Sequence, residues 1–256
     1  MEISSKKDEI ITKNRFKDLA EKSYNQNIFT FTSFLSLIEL SLFWEIEKEI
    51  NYVKFEIFGG RNNSDRTIIR FGDSEAFGYE EDFPISIINI KPLSAKMADA
   101  LTHRDFLGAL MNLGIERTLL GDIIVGDKEA FLFARTDISD FICDNLFRVK
   151  HTSVSCSRVK NITDIEENKA KLESHTISSE RLDVIIATVY NLSRNKSNDF
   201  FSSKKVFING RVCENNAKVC KERDTITVRG LGKFIYYGST ATTRKGKYRV
   251  VIKVYR

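Results

Sequence analysis

The alternation of apolar and polar positions divides the chain into three stretches. At the amino end, apolar positions at helical spacing predict helices over Lys7 to Tyr24 and Ser33 to Asn51. A strand follows over Tyr52 to Phe58, stopping at Gly59-Gly60, then a turn over Asn62 to Asp65 and a strand over Thr67 to Phe71. From Pro84 the pattern reads strand (Pro84 to Ile90), helix (Ala98 to Leu113), strand (Gly121 to Val125), strand (Glu129 to Ala134), helix (Thr136 to Leu146) and strand (Ser153 to Val159). This β-α-β-β-α-β order predicts a split-βαβ module of the ferredoxin-like or RNA-recognition (RRM-like) kind. Phe131 and Phe133 alternate on its third strand, where such modules stack bases, and core packing competes with that role.

Near the carboxyl end, Leu182, Ile185, Ile186, Val189 and Tyr190 recur at helical spacing, with Ser179 placed to cap the first turn. Ser193-Arg194-Asn195-Lys196-Ser197 starts a second helix, closing a helix-turn-helix. Two strands follow, Lys204 to Ile208 ending in the turn pair Asn209-Gly210, and Asp224 to Gly230. The expected class is α+β, divided as an α/β domain over 1–80, the RRM-like module over 81–159, a linker over 160–178 and a carboxyl-terminal domain over 179–256 with basic final strands. The linker reading rests on a polar, charge-mixed stretch without aromatics.

With 256 residues, 42% of them hydrophobic, the chain can bury a sizeable core. The most lipid-like stretch, Ile28 to Trp44, is interrupted by Glu39 and by Ser and Thr and falls short of the roughly 20 apolar residues a spanning helix needs. No signal peptide is legible, so a cytoplasmic protein without a membrane partner is expected. Cys143, Cys156, Cys213 and Cys220 form no C-x-x-C pair, and His103, His151 and His175 are scattered, so no metal or cofactor is expected.

Charge changes the picture more than composition does. Residues 180–256 hold 17 Lys and Arg against 6 Asp and Glu, whereas residues 1–179 hold 23 against 29, so the overall +5 conceals a module of +11 attached to a body of −6. A concentrated positive field selects a polyanion. Arg181, Arg194, Lys196, Lys204, Lys205, Arg229 and Lys233 are candidates for RNA phosphates, with Ser193 and Asn209 as neutral hydrogen-bonding partners and the glycines after Val228 allowing close backbone approach.

Arg181-Leu182-Asp183, a helix, Ser-Arg-x-Lys, a helix, V-x-I-N-G and D-x-I-x-V-R together resemble the RNA-binding domain of small-subunit ribosomal protein S4 over about residues 179–235. One position departs from it, since Lys204 stands where that domain usually has Gly. The string from Leu101 to Ile123, L-T-H-R-D-F-L-G-A-L-M-x-L-G-I-x-R-x-x-x-G-D-I, resembles the bacterial YlmH family, which ends in an S4-type domain. The resemblance implies a non-enzymatic, monomeric factor that binds structured RNA, ribosomal and transfer RNA included. It further implies association with stalled large ribosomal subunits carrying peptidyl-tRNA, in ribosome-associated quality control.

Two alternatives remain beside it. S4-type domains accompany pseudouridine synthases, whose catalytic Asp lies in an Arg-Leu-Asp motif, but here that motif opens the binding domain and no catalytic domain follows. A cell-division accessory role is neither supported nor excluded. The triplet His103-Arg104-Asp105 is not a kinase loop, because the Asn required five residues after the Asp is Leu110. It is either a helix start or, with Arg117, a second RNA contact by His103 and Arg104.

Overall fold

The computed structural model describes residues 6–62, 64–94, 98–127, 129–160, 170–243 and 246–255, and the chain divides into two compact units, 1–163 and 164–256. Helix and strand each account for 34% of the chain, which fits the α+β class.

The first unit opens with α1 (Lys6–Gln26), β1 (Thr30–Phe31), α2 (Leu37–Ile46), β2 (Phe55–Phe58), β3 (Ile68–Phe71) and the short α3 (Ser74–Phe77). Helix α2 begins later than its apolar pattern suggests because Ser36 and Glu39 form a capping box. Its Phe43 meets Phe16 of α1 and Phe55 of β2 edge-on, with centroids at 5.6 and 4.9 Å, over an antiparallel sheet of order β1-β3-β2. Then come β4 (Ile85–Pro92), α4 (His103–Asn112), β5 (Leu120–Val125), β6 (Ala130–Arg135), α5 (Ser139–Asn145), β7 (Arg148–Val149) and β8 (Thr152–Val159). These strands form an antiparallel sheet of order β5-β6-β4-β8-β7. Ala130, Leu132 and Ala134 of β6 share a core with Phe106 and Leu110 of α4 and Ile142 of α5.

The other face of that sheet is also covered. Phe131 and Phe133 are 1% and 0% exposed, so of the two readings of the pair core packing holds and base stacking does not. A Cβ on Gly60 would lie 2.3 Å from the Phe133 ring, and one on Gly121 2.7 Å from the Phe34 ring, so both glycines are needed for this close approach. Residues 1–80 and 81–159 therefore share one unit instead of forming the two domains expected from the sequence. Polar bonds reinforce the seam: the Phe34 N–H donates to Thr118 O at 2.9 Å, and the Arg66 guanidinium donates to Phe34 O and Leu120 O at 2.7 and 2.8 Å.

The second unit comprises β9 (Ala170–Ile177), α6 (Leu182–Val189), α7 (Arg194–Ser202), β10 (Val206–Ile208), β11 (Arg211–Val212), β12 (Thr225–Val228), β13 (Gly232–Thr242) and β14 (Tyr248–Tyr255). Its antiparallel sheet has the order β11-β10-β12-β13-β14-β9. Strand β9 lies within the stretch expected to be a linker, and it pairs with β14 from Tyr248↔Ile177 to Tyr255↔Ala170. The remainder of that stretch falls largely outside the described residues. Leu182, Ile185, Ile186 and Val189 of α6 pack on Val228, Phe234, Ile252 and Val254 of the sheet.

Candidate RNA interface

Helix α6 begins at Arg181, not at Ser179, whose hydroxyl accepts only a long bond from the Arg181 N–H at 3.4 Å. The Asp183 carboxylate, nearly buried, accepts from the Val184 N–H at 3.0 Å and from Arg181 Nε and Nη2 at 3.0 and 2.9 Å. The bidentate fork fixes the Arg181 guanidinium, while the side chain stays 44% exposed. The Asp183 carbonyl accepts from Ser197 Oγ at 2.9 Å, which holds the start of α6 against the first turns of α7. Ser193 caps α7 by accepting from the Lys196 N–H, so its hydroxyl is occupied by the helix. Arg181, Arg194 and Lys196 are thereby gathered at the two helix starts, all exposed.

A second group forms where α7 meets the sheet. Lys204 and Lys205 leave the helix, and the Arg229 N–H donates to Lys205 O at 2.9 Å, bringing the end of β12 beside the start of β10. All three side chains are exposed. Lys204 reaches Glu214 at 3.5 Å, and neither Arg194, Lys196 nor Lys205 has a carboxylate partner among the described residues.

Two expected contacts are placed elsewhere. Lys233 is 8% exposed, its ammonium 5.8 Å from the Tyr255 ring centroid, and does not join either group. Asn209 adopts φ 50° in the β10–β11 turn, donates to Asp224 Oδ1 and accepts from the Thr225 N–H, both at 2.8 Å, so its amide maintains the turn.

In the first unit the charged triplet separates into three roles. Asp105 accepts from the Thr102 N–H and hydroxyl at 2.8 and 2.7 Å and pairs with Lys150 at 3.0 Å, and these partners, the Thr102 bonds foremost, pull its carboxyl down to about 2. His103 is held below its ordinary value by desolvation first and by the Arg117 guanidinium second. Arg117 donates to Leu120 O and Gly121 O at 2.6 and 3.1 Å and is lowered to about 10 by burial and by Arg66, so it braces the start of β5 and does not extend toward a ligand. Beside it Asp122, almost buried, accepts from Arg61 Nη2 and from the Asp65 and Arg66 N–H groups, each at 3.0 Å. Of the candidates here His103 and Arg104 are exposed, and Arg104 has no carboxylate partner among the described residues. It lines a groove with Phe147, Arg148 and Lys150, which sequence reasoning passed over although R-V-K-H at 148–151 is the densest basic run of the first unit's second half.

Burial raises all four cysteine thiols above their ordinary value. Burial pushes the Cys156 and Cys220 thiols up to about 12, far from the thiolate that metals and nucleophilic chemistry require. Among the described residues no three His, Cys, Asp or Glu side chains converge as metal ligands, and no helix is long and apolar enough to cross a membrane.

Residues 79–167 match the family described as "Putative RNA-binding domain in YlmH". The chain is 29% identical over 176 residues to "Ribosome-associated protein quality control protein P2" of Bacillus subtilis (strain 168), a stretch covering 68% of this chain and 67% of that protein. It is also similar to the solved structure of "Cell division protein ylmH from Streptococcus pneumoniae" over 62% of this chain and 95% of that one, with 20% identity and a TM-score of 0.48.

Proposed function

We propose that this chain is a cytoplasmic, monomeric YlmH-family factor that binds structured RNA on the ribosome without catalysing a reaction, and that its second unit is an S4-type RNA-binding domain. The observation that carries this reading is the gathering of Arg181, Arg194 and Lys196 at two helix starts, with Lys204, Lys205 and Arg229 forming a second group past the other end of α7. Three of these cations lack a carboxylate partner among the described residues, and helix starts add their own positive potential. The name of the Bacillus relative directs the reading to ribosome-associated quality control, where the RNA would be ribosomal RNA of a stalled large subunit carrying peptidyl-tRNA. The first unit, whose β4–β8 segment has the strand order expected of an RRM-like module, supplies a further RNA contact in this reading.

A non-catalytic role fits the chemistry of Asp183. Both of its oxygens are engaged by Arg181, and one also by the Val184 N–H, which leaves a positioning carboxylate instead of a free base. Binding of a structured ribosomal RNA fragment tests the proposal. The log–log dependence of affinity on salt should have a slope on the order of −3 to −5 if about four to six cations engage. Arg194→Ala with Lys196→Ala should flatten the slope by about 1.5 and weaken binding with the thermal transition unchanged. An unaltered slope would show the face to be merely solvated.

A further inference from the structure

A groove of about 590 Å³ runs between α4 and the hairpin made by β7 and β8. Arg104, Gly108 and Asn112 of α4 line one side at a spacing of four residues, which places them on one face of the helix over about 12 Å. Phe147, Arg148 and Lys150 line the other. We infer that this groove binds single-stranded RNA, with Arg104, Arg148 and Lys150 facing phosphates and Phe147 serving as a platform for a base. The inference rests on the RNA-binding reading of the chain and assigns that activity to a particular place in the first unit.

Four observations carry it. The first is charge: residues 1–179 are net acidic, yet three cations converge here, and the guanidinium groups of Arg104 and Arg148 have no carboxylate partner among the described residues. The single acid in the groove, Asp105, is already engaged by Thr102 and Lys150. The second is Phe147, whose ring is 66% exposed beside those cations and so open to stacking. The third is Gly108, in the middle of a ten-residue helix, where glycine costs roughly 0.5–1 kcal/mol against alanine. Nothing lies within 4 Å of where its Cβ would be, so no neighbour demands the missing side chain; its absence keeps the groove floor open. The fourth is Lys150, which adopts φ 54° at the hairpin tip, a conformation usually left to Gly or Asn, and is held there by Asp105 at 3.0 Å.

Aromatic and cation side by side suit nucleic acid better than an acidic peptide, because a base offers a π-face and its phosphate a charge within one nucleotide. The bases of duplex RNA are stacked on one another, so a protruding phenylalanine selects a single strand.

The full-length chain tests this with two probes: a labelled single-stranded RNA of about 12 nucleotides carrying 5-iodouridine, and a structured ribosomal RNA hairpin. Phe147→Ala should weaken single-strand binding by roughly 5- to 100-fold. Arg104→Glu with Arg148→Glu should weaken it at least about tenfold and flatten its salt slope by about 1.4. Gly108→Leu changes no charge and its Cβ meets no neighbour, so it should fill the groove and reduce single-strand binding with the thermal transition unchanged or raised. Photocrosslinking should mark Phe147. If the wild-type chain binds the single strand but all three variants bind it equally well, or if the crosslink falls only in residues 164–256, the groove is not the site. If the groove variants keep RNA and lose a polyglutamate peptide instead, the occupant is an acidic protein and the inference is wrong. Hairpin binding that depends on Arg194 and Lys196 but not on the groove would leave the general RNA reading standing while this inference fails, whereas failure of the wild-type chain to bind either probe would remove both.

Discussion

At the residue scale, neighbours decide which charges serve structure and which are left for a partner. His103, Arg104 and Asp105 are adjacent in sequence, yet Asp105 closes the start of α4, His103 lies near the Arg117 and Asp122 network, and Arg104 faces the groove. The triplet itself was plain in the sequence, but its division was not, because Arg117, Asp122 and Lys150 arrive from later elements of the chain. The same holds for Lys233 and Asn209, which a list of polar residues on a basic module cannot separate from Arg194 and Lys196. The Asp105 contacts have a measurable consequence. Its folded carboxyl is lowered to about 2 from an ordinary value of about 3.9, so its contribution to stability is present above about pH 4 and is lost as the pH falls toward 2. Asp105→Asn should therefore be less stable than wild type at neutral pH, and the two urea midpoints should converge between about pH 4 and 2. A gap that persists at the acid end would assign the loss to something other than the charged carboxylate.

At the element scale, three helices end alike, with a residue of positive φ after the cap: Gly114 after α4, Asn191 after α6 and Lys204 after α7, at φ 79°, 52° and 53°. After α7 the Lys204 N–H donates to Phe201 O at 3.0 Å and the Lys205 N–H to Phe200 O at 2.9 Å, the paired bonds of a Schellman motif. Glycine and asparagine tolerate that geometry, and lysine does so at a cost, which the comparison with the S4 pattern had flagged from sequence alone. Lys204→Gly should accordingly raise the unfolding free energy by about 1 kcal/mol while removing one cation from the proposed RNA face, flattening the salt slope by about 0.7–0.9. Stability and affinity moving in opposite directions would mark a position where binding outweighed backbone ease, and a loss of stability would refute the strain argument. Elements with strong apolar periodicity, such as α6 and β6, were legible from the outset. Strand β9 was not, because it is an edge strand. On its core-facing side Lys171, Glu173 and His175 oppose Val254, Ile252 and Val250, and only Ile177 is deeply buried, so no apolar alternation announces it.

At the scale of the whole molecule, the charge asymmetry read from sequence follows the structural division closely, with the basic residues collected in the unit 164–256 and the acidic excess in 1–163. What sequence misjudged was where the second unit begins, and this alters how the two should be separated. A fragment starting at residue 176 discards nearly all of β9 and uncovers the edge of β14, where Val250, Ile252 and Val254 point into the core. One starting at residue 164 keeps the six-stranded sheet whole. The shorter fragment should unfold at a lower temperature and associate through its bared edge, visible as a concentration-dependent shift in sedimentation, while the longer should be monomeric and cooperative. With that fragment intact, the division of labour can be measured. If both units contact RNA, the full chain should bind large ribosomal subunits more tightly than 164–256 alone, by as much as 10²–10⁴-fold where both contacts can form at once. Equal binding by the fragment and the full chain in a ribosome-pelleting assay would assign the whole affinity to the basic unit and leave the first unit with a task other than RNA.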